Sequence, residues 1–483
     1  MNILARFQKV LENNLRESLG NYLHNTITAF TNPYNIDSYK QFIEEFDVFT
    51  ANLSKDTYEE FILALDEEFM QSKVRKQTYD SRGYLTKPLL TKFGLINFKR
   101  RKYESKTDGK SFMFVDRLLG LERYKRLDPF VIGDLIEESS TNSYAKAGRN
   151  VSKTIGSKIK YDDDINKSLL SRATVRNNVI KASMIMKEPN NGEVKAVKLL
   201  NMMLDEKFVG SQFNDNKDHM IKSAVVYEGI AKEYKNRIKL TGKKVFGNIE
   251  GNLLSEVMDY IYYNYDTDKL ETINIMGDGA KWIESFATDS SFKYHSDLKI
   301  NRGLDHFHMA QAIKQIATNK NEIHYKFMYR YVRQNKYEYF LKVCACLIKK
   351  YPHREHTIKE KMLYIVNNWQ TIQNSFKTIK YKCSMESNIS HVFADIFTSR
   401  PKAYSTNGLK LLLNIRLLKI NGHDLKKLYF ESLKETKKNT TEREITKRVI
   451  NTNKNAKYTD ALYHSLIDSN FSLNINNENL IKI

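Results

Sequence analysis

Asp278 lies in a sequence context that suits a carboxylate with a chemical role. Residues 272–283 read TINIMGDGAKWI, an apolar run that stops at Gly277, Asp278 and Gly279 before a helix-compatible stretch. This pattern predicts a buried strand that delivers one acid at its C-terminal edge. The flanking glycines let a metal ion, a phosphate or another backbone come close. Asp278 is therefore a candidate metal ligand for phosphodiester chemistry, which uses hard cations held by carboxylates. A polar strand end or a helix cap is the alternative.

Glu386 is the second candidate acid. A helix running from Ser384 to Ser399 would place Glu386 on one face with Ile389, Phe393 and other apolar residues. A carboxylate on a buried stripe is costly unless it is paired or bound to metal. The alternative is that Glu386 lies in a frayed first turn and contacts solvent.

Asp205 is the third candidate, and its local pattern is ambiguous. Leu199, Asn201, Met203 and Asp205 alternate as in a strand that ends in an acid, yet the apolar residues from Ala196 onward also fit a helical stripe. Asp215 and Asp218 compete for the same role.

Two histidines add possible supporting groups. Asp305 and His308 follow the second acid in the segment LDHFHM, and His391 lies on the predicted Glu386 helix. Each histidine could support a site from nearby, although a single histidine is more often structural.

The composition points to a polyanionic partner. The 483 residues include 78 Lys or Arg against 57 Asp or Glu, a net charge of +21. Such an excess favours nucleic acid. The three cysteines exclude a disulfide framework, and no CxxC pair suggests zinc. The polar start and the lack of a long apolar span predict a cytosolic protein without membrane segments.

The N-terminal half divides into three predicted regions. Residues 1–72 are predicted to be helical, with an apolar stripe that suits either dimerisation or ordinary packing. Residues 73–118 are strand-like and basic. There Arg100, Arg101 and Lys102 lie beside aromatic residues and are candidate DNA contacts, although a charge run is more often solvated.

Residues 119–185 are predicted to form a helix-turn-helix-like DNA-binding region. Its last helix is capped by Ser171 and carries Arg172, Arg176 and Asn177 as candidate contacts to bases or phosphates.

The remaining chain alternates between α/β and helical segments. After a linker, residues 196–305 are predicted as a first α/β part, residues 306–381 as an all-helical insertion, and residues 382–420 as the last part of the core. Residues 421–483 are a basic C-terminal region that ends rich in asparagine.

Several stretches together resemble a known family. GDGAKWI, LDHFHM and CSMESNISHVFADIFTSRP (residues 383–401) are similar to the ISLre-two type of insertion-sequence transposases, which are in turn similar to Mutator-like DDE transposases. Residues 118–152 and the segments KSAVVYEG and KKVFG extend the resemblance over most of the chain.

The resemblance implies a fold and a chemistry. The fold is an α-rich α+β multidomain protein: an RNase H-like mixed α/β catalytic core with an all-helical insertion, preceded by helical and helix-turn-helix regions. The implied triad is Asp205, Asp278 and Glu386, with two Mg²⁺ or Mn²⁺ ions per active site. Asp305 and His308 match a D-x-x-H element, whereas Asp205 is inferred from its order in the chain.

The function implied is that of a DNA transposase of a bacterial insertion sequence. It would bind the terminal inverted repeats, cut strands and join them to target DNA as a homodimer or larger assembly in the cytoplasm, at the nucleoid. The alternatives are a nuclease or resolvase of the same fold that does not join ends, and an inactive DNA-binding derivative that acts as a repressor.

Overall fold

The protein has a mixed α/β architecture. A computed structural model describes residues 36–122, 124–156, 170–189, 193–212, 218–232, 238–288, 298–318, 322–377 and 403–436, with parts of 8–24 and residues 393 and 397–398. The chain divides into two compact units, residues 1–428 and 429–483, and all the elements named below belong to the first. Within the described residues no helix is long and apolar enough to span a membrane.

A long helix and a small antiparallel sheet form the N-terminal part. The elements are α1 (Ile36–Gln71), α2 (Lys73–Thr78), β1 (Tyr79–Thr91), β2 (Gly94–Ser105), β3 (Ser111–Met113) and α3 (Phe114–Leu119). Ile62 of α1 packs on Leu89, Ile96 and Phe98, so the sheet buries one face under the helix.

Two local predictions in this part are wrong. From its sequence context Ser54 is predicted to cap a second helix. It lies instead inside α1, where its Oγ donates to the Thr50 carbonyl at 2.7 Å. The segment SFMFVD (residues 111–116) is strand-like in sequence, but β3 ends at Met113 and α3 begins there. Thr107, Asp108 and Gly109 predict a hairpin turn, and this prediction is confirmed, with φ of Gly109 at +65°.

Three helices follow and pack on one another: α4 (Pro129–Ser139), α5 (Tyr144–Gly156) and α6 (Arg172–Ile185). The sequence Asp128-Pro129 is typical of a helix start, and Asp128 accepts from the Phe130 amide at 2.5 Å. The predicted cap at Ser171 is confirmed, because Ser171 accepts from the Thr174 amide at 3.1 Å. The sequence therefore located the starts of α4 and α6 through their capping side chains.

Gly148 lies inside α5 and does not interrupt it. A Cβ at this position would lie 2.8 Å from the Leu170 carbonyl oxygen and 3.0 Å from Val175 Cγ2. Glycine is therefore needed here because Leu170 and the α6 residue Val175 approach the α5 backbone closely.

A six-stranded mixed sheet forms the centre of the first unit. The strands are β4 (Leu199–Ser211), β5 (His219–Tyr227), β8 (Lys244–Asn248), β9 (Thr272–Gly277), β10 (Lys299–Leu304) and β11 (Ala403–Tyr404). Five of them lie in the order β10-β9-β4-β5-β8, and β11 pairs with the end of β4. β5 runs antiparallel to β4 and β8, whereas β9 and β10 run parallel to β4.

A separate hairpin lies between β5 and β8 along the chain. β6 (Gly229–Lys232) and β7 (Ile238–Thr241) pair only with each other. The pattern of RIKLTGKKVFG (residues 237–247) predicts one continuous strand adjacent to β5. Instead β8 pairs with β5, and the hairpin stands between them in the chain.

Apolar layers cover both faces of the central sheet. On one face α7 (Leu253–Asn264) and α8 (Lys281–Thr288) pack on Leu200, Met202 and Ile275. On the other, α14 (Thr406–Ile420), Phe393 and Phe397 pack on Met203 and neighbouring residues. The alternation of side chains along β4 thus buries successive residues in different layers.

The segment predicted as a helical insertion is helical over its described residues. It contains α9 (His306–Ala317), α10 (Ile323–Arg333), α11 (Tyr337–Lys350), α12 (Glu355–Asn367) and α13 (Trp369–Lys377), with a short 3₁₀ turn before α12. Met309, Phe340, Ile358 and Ile372 meet in its own core. Because only Asp305 separates β10 from α9, this subdomain begins at the edge of the sheet.

Candidate active site and nucleic-acid interface

Asp205 and Asp278 lie where two parallel strands separate. β4 and β9 pair from Leu199 with Thr272 up to Met203 with Met276, and the pairing stops two residues before each acid. Asp205 therefore continues β4, and Asp278 follows the end of β9, at the same edge of the sheet. The strand alternative for residues 199–205 is the correct one, and the helical alternative is wrong.

A ladder of three asparagines, of which Asn201 and Asn274 are buried, links three strands in register below these acids. Asn274 Nδ2 donates to Asn201 Oδ1 at 2.9 Å, and Asn301 Nδ2 donates to Asn274 Oδ1 at 3.0 Å. The three asparagines are register partners, and an aspartate follows each of them four residues later. Since side chains on a strand alternate with period two, the ladder and the acids share one side of the sheet.

The acids form a region of concentrated negative charge. Burial raises the pKa of Asp205, and the nearby carboxylates of Asp278 and Asp305 raise it further, against the lowering effect of the Glu206 amide and His308. Among the described residues, neither Asp205 nor Asp278 forms an ion pair with a lysine or arginine. Like charges held together without a basic partner are typical of a site that takes up a cation.

Asp305 and His308 lie beside the acids. Asp305 is 2% exposed, and it caps α9 by accepting from the Phe307 amide at 3.1 Å. Its other carboxylate oxygen lies 3.2 Å from His308 Nδ1. This hydrogen bond raises the pKa of His308, and the charges of Asp278 and Asp205 act in the same direction. The pair therefore orients one imidazole next to the candidate acids.

Sequence reasoning missed three residues around the site. Tyr364 from α12 donates from its hydroxyl to the backbone oxygen of Asp278 at 2.6 Å. Trp282 Nε1 donates to Glu206 Oε2 at 2.8 Å, beside Asp205. The tryptophan was visible in the GDGAKWI segment, but only the folded chain pairs it with Glu206. No local signal singled out Tyr364, because its partner is 86 residues away in the sequence.

The remaining acid and histidine predictions have different outcomes. Glu386, His391 and Asp215 lie outside the described residues. Asp218 is exposed and precedes His219, the partner of Val209 in the β4–β5 register. It therefore lies roughly 15 Å along the strand from Asp205. The described residues contain no group of three or more His, Cys, Asp or Glu side chains arranged to hold a metal ion.

The basic run in β2 is largely committed to internal contacts. Arg100 is 9% exposed and forms an ion pair with Asp116. Asp116 Oδ2 also lies 3.4 Å from Lys87 Nζ. Arg101 pairs with Glu67, and its Nε donates to Tyr84 at 2.7 Å. The guanidinium groups of Arg100 and Arg101 thus already have acceptors inside the protein, and their contact with DNA stays a prediction. Lys102 is half-buried.

α6 presents the other predicted DNA contacts to solvent. Arg172, Arg176 and Asn177 are exposed, whereas Val175 and Val179 are fully buried. On α5, the helix next to it, a stripe of further cations is exposed, consisting of Lys146, Arg149 and Lys153. Both packed helices thus carry exposed cations, and their binding of DNA stays a prediction.

Comparison with known proteins identifies the family. The model of an uncharacterised protein family, UPF0236, matches residues 35–434. The chain belongs to the UPF0236 family. Two UPF0236 proteins of Caldanaerobacter subterraneus subsp. tengcongensis are each 29% identical to it over 385 residues, which is 78% of this chain and 77% or 73% of the relative. A third UPF0236 protein of that organism, also 29% identical and covering 78% of this chain and 77% of itself, has a name that joins eleven designations.

Proposed function

We propose that the protein is a DNA transposase of a mobile element, which cuts and joins DNA strands at a carboxylate site formed by Asp205, Asp278 and Glu386. The observation that carries the proposal is the pair of acids on neighbouring parallel strands, at the point where those strands separate. Two such carboxylates on one sheet edge can hold the cations that phosphodiester chemistry requires.

The strand order supports an RNase H-like core. Counted along the chain without the β6–β7 hairpin, β4, β5, β8, β9 and β10 are strands one to five, and they lie in the order 3-2-1-4-5 with the second strand antiparallel. This order is typical of RNase H-like nucleases and transposases. In that fold the central strand and its parallel neighbour carry the first two acids, which are Asp205 and Asp278 here. A fold alone does not fix a function, so the acids carry the argument.

Glu386 remains the predicted third acid. Phe393 and Phe397, seven and eleven residues later in the sequence, are buried against Met203 on the side of the sheet that bears Asp205. In the helix predicted from Ser384 to Ser399, positions seven and eleven residues apart share one face. A third carboxylate on that face would complete a set that the described residues alone do not provide.

The donor set suits Mg²⁺ or Mn²⁺. Aspartate and glutamate oxygens are the hard ligands that these cations prefer, and Asp205 and Asp278 have no basic ion-pair partner among the described residues. When bound, such ions supply Lewis-acid stabilisation of the attacking and leaving oxygens. The protein contributes the fixed strand register, the Asp305–His308 pair beside the acids, and the Tyr364 hydrogen bond that holds the Asp278 backbone.

Two further features support a mobile-element protein. The exposed cations on α5 and α6 suit phosphate contacts to DNA ends, with the N-terminal residues of α6 closest to the bases. The relative whose name joins eleven designations suggests one protein encoded at many loci. Repeated copies in one genome are what an element that moves would leave, and we extend this inference to the present chain.

The test is a cleavage and joining assay with isosteric variants. The substrate is a duplex that carries the DNA flanking the coding sequence, incubated with Mg²⁺ or Mn²⁺. Asp205→Asn and Asp278→Asn should lower strand cleavage by ~100-fold or more, since metal stabilisation of the transition state is worth several kcal/mol. Asp218→Asn is the matched control, because this exposed aspartate directly precedes the neighbouring strand β5 and should leave cleavage unchanged.

The assay also separates the alternatives. Cut ends that never join to a target duplex would indicate a nuclease or resolvase. Duplex binding without any cleavage would indicate an inactive derivative. Cleavage by Asp278→Asn at the wild-type rate would refute the acid assignment itself.

A further inference from the structure

The helical insertion carries a row of three aromatic side chains at the edge of its core, and the two outer ones are exposed. Phe327 of α10 and Tyr339 of α11 are 41% and 54% exposed, and the half-buried Tyr331 lies between them. The ring centroids of Phe327 and Tyr331 are 6.1 Å apart at 14°, and those of Tyr331 and Tyr339 are 5.5 Å apart. The same two helices bury Met328, Val332 and Phe340 in the core. Tyr331 packs against that core, whereas the exposed rings of Phe327 and Tyr339 are additional to it.

The surroundings of this row are strongly basic. Residues 323–350 contain seven Lys or Arg and one Glu, a net charge of +6. The ammonium groups of Lys336 and Lys342 lie 5.7 Å and 5.5 Å from the Tyr339 ring centroid. Arg330 and Arg333 are exposed on the same helix as Phe327. The surface therefore combines flat aromatic faces with cations on several sides.

The turn that joins the two helices fixes the geometry of the row. Asn335 adopts a positive φ of 56°, and Trp369 Nε1 donates to its side-chain oxygen at 2.8 Å. The Lys336 amide donates to the Tyr331 carbonyl at 2.8 Å. Trp369 also meets Tyr337 edge to face. Because α13 clamps this turn, the aromatic rings are held in place before any partner binds, which lowers the entropy cost of binding.

We propose that Phe327, Tyr331 and Tyr339 form a platform on which unpaired bases of single-stranded DNA stack while the surrounding cations hold its phosphates. Successive bases stack on exposed aromatic side chains in a basic groove, whatever their sequence. A paired duplex hides its base faces and would gain only the charge contribution. An acidic peptide would satisfy the cations but leave the row of stacked rings unused.

The platform is an inference beyond the acid site, and stacking does not depend on catalysis. Only the choice of DNA rather than RNA rests on the proposed function, in which strand cleavage at an element end exposes unpaired bases. Binding can therefore be measured without divalent cations, so that a failure of cleavage and a failure of stacking are seen separately.

The experiment uses the full chain and fluorescently labelled oligonucleotides, with chelator present. Wild-type protein should bind a short oligothymidine at least about fivefold more tightly than an oligomer of the same length with abasic sites, since stacking is worth about 1 kcal/mol or more per base. Phe327→Ala and Tyr339→Ala should each remove much of this difference and leave binding to the abasic oligomer unchanged.

Two control variants separate stacking from other effects. Tyr339→Phe keeps the ring and should keep wild-type affinity. Tyr263→Ala removes an equally accessible tyrosine, 67% exposed on α7, and should have no effect. Thermal unfolding should be the same for all four variants because the altered side chains are exposed.

Several results would overturn the proposal. Equal affinity for the thymidine and abasic oligomers would show a purely electrostatic surface. Tighter binding of the same-sequence RNA or duplex DNA would assign the surface to another nucleic acid. A shift of Phe327→Ala or Tyr339→Ala toward smaller particles in sedimentation, with DNA affinity unchanged, would show a contact between two copies of the chain.

Discussion

The buried cluster of Lys87, Arg100 and Asp116 allows a test of whether Arg100, in the basic run of β2, serves the protein interior. The side chains of Lys87, Arg100 and Asp116 are 4%, 11% and 10% exposed. Two cations therefore share one carboxylate, and one positive charge is in excess in the interior. Burial, helped by the charge of Arg100, lowers the pKa of Lys87 to about 8 from its ordinary 10.5.

This shift predicts a rise of stability in mild alkali. Between pH 8 and 10.5 the unfolded chain keeps the proton on Lys87, whereas the folded chain has released it. The unfolded state thus binds more protons, so the free energy of unfolding increases with pH in this window. At 1.36 kcal/mol per pKa unit, the full increase is about 3 kcal/mol.

The assay is urea unfolding between pH 7 and 10, followed by far-ultraviolet circular dichroism. Lys87→Met should abolish the rise, because the titrating group is gone, and Lys99→Met should keep it, because Lys99 is exposed on the same strand as Arg100. Asp116→Asn should cost about 3–5 kcal/mol at pH 7, since it leaves both cations without a counter-charge.

Two results would refute this reasoning. An alkaline rise of the same size in Lys87→Met would assign the titration to another group. If Asp116→Asn were as stable as wild type while Arg100→Gln lost binding to duplex DNA, the Arg100 guanidinium would face DNA rather than the interior.

Three further predictions concern other parts of the molecule. Gly148→Ala should destabilise the protein by about 1–3 kcal/mol in thermal unfolding, because the new Cβ would lie 2.8 Å from the Leu170 carbonyl oxygen. Asn274→Ala should cost about 2–4 kcal/mol by the same measurement, since both neighbouring asparagines lose a buried partner, and unchanged stability would show that the ladder is not needed. For Glu188, burial opposes ionisation, but hydrogen bonds from Lys244 and His423 lower its pKa below the ordinary 4.5. Wild type should therefore lose stability as the pH falls below 4.5. Glu188→Gln should lose less stability in acid, measured as Tm at each pH.

Local patterns predicted the elements whose signals are local. The β9 strand, the caps at Asp128 and Ser171, and the helices of the insertion follow from alternation, capping chemistry and helical periodicity. Each of these signals lies within a few residues of the element that it specifies. The sequence therefore located Asp278 at a strand end without knowledge of its neighbours.

Long-range pairing decided what local patterns left open. Residues 196–205 fit both a helix and a strand, and β4 forms because β5 and β9 lie on either side of it. The same limit applies to the basic run, where the fate of Arg100 depends on Asp116, 16 residues further along the chain. Charge composition alone cannot distinguish a buried ion pair from a phosphate contact.

The asparagine ladder shows how non-local register can build a site that is only partly visible in sequence. Asn201, Asn274 and Asn301 are each followed four residues later by an aspartate, but this regularity has no meaning until the three strands are known to be parallel neighbours. Once they are, hydrogen bonds between the asparagines bring the aspartates to one level at the edge of the sheet. A one-residue slip of any strand would turn its acid to the other face. The ladder places polar side chains in an otherwise apolar sheet. Its presence is explained if these residues serve to position the acids rather than to maximise stability.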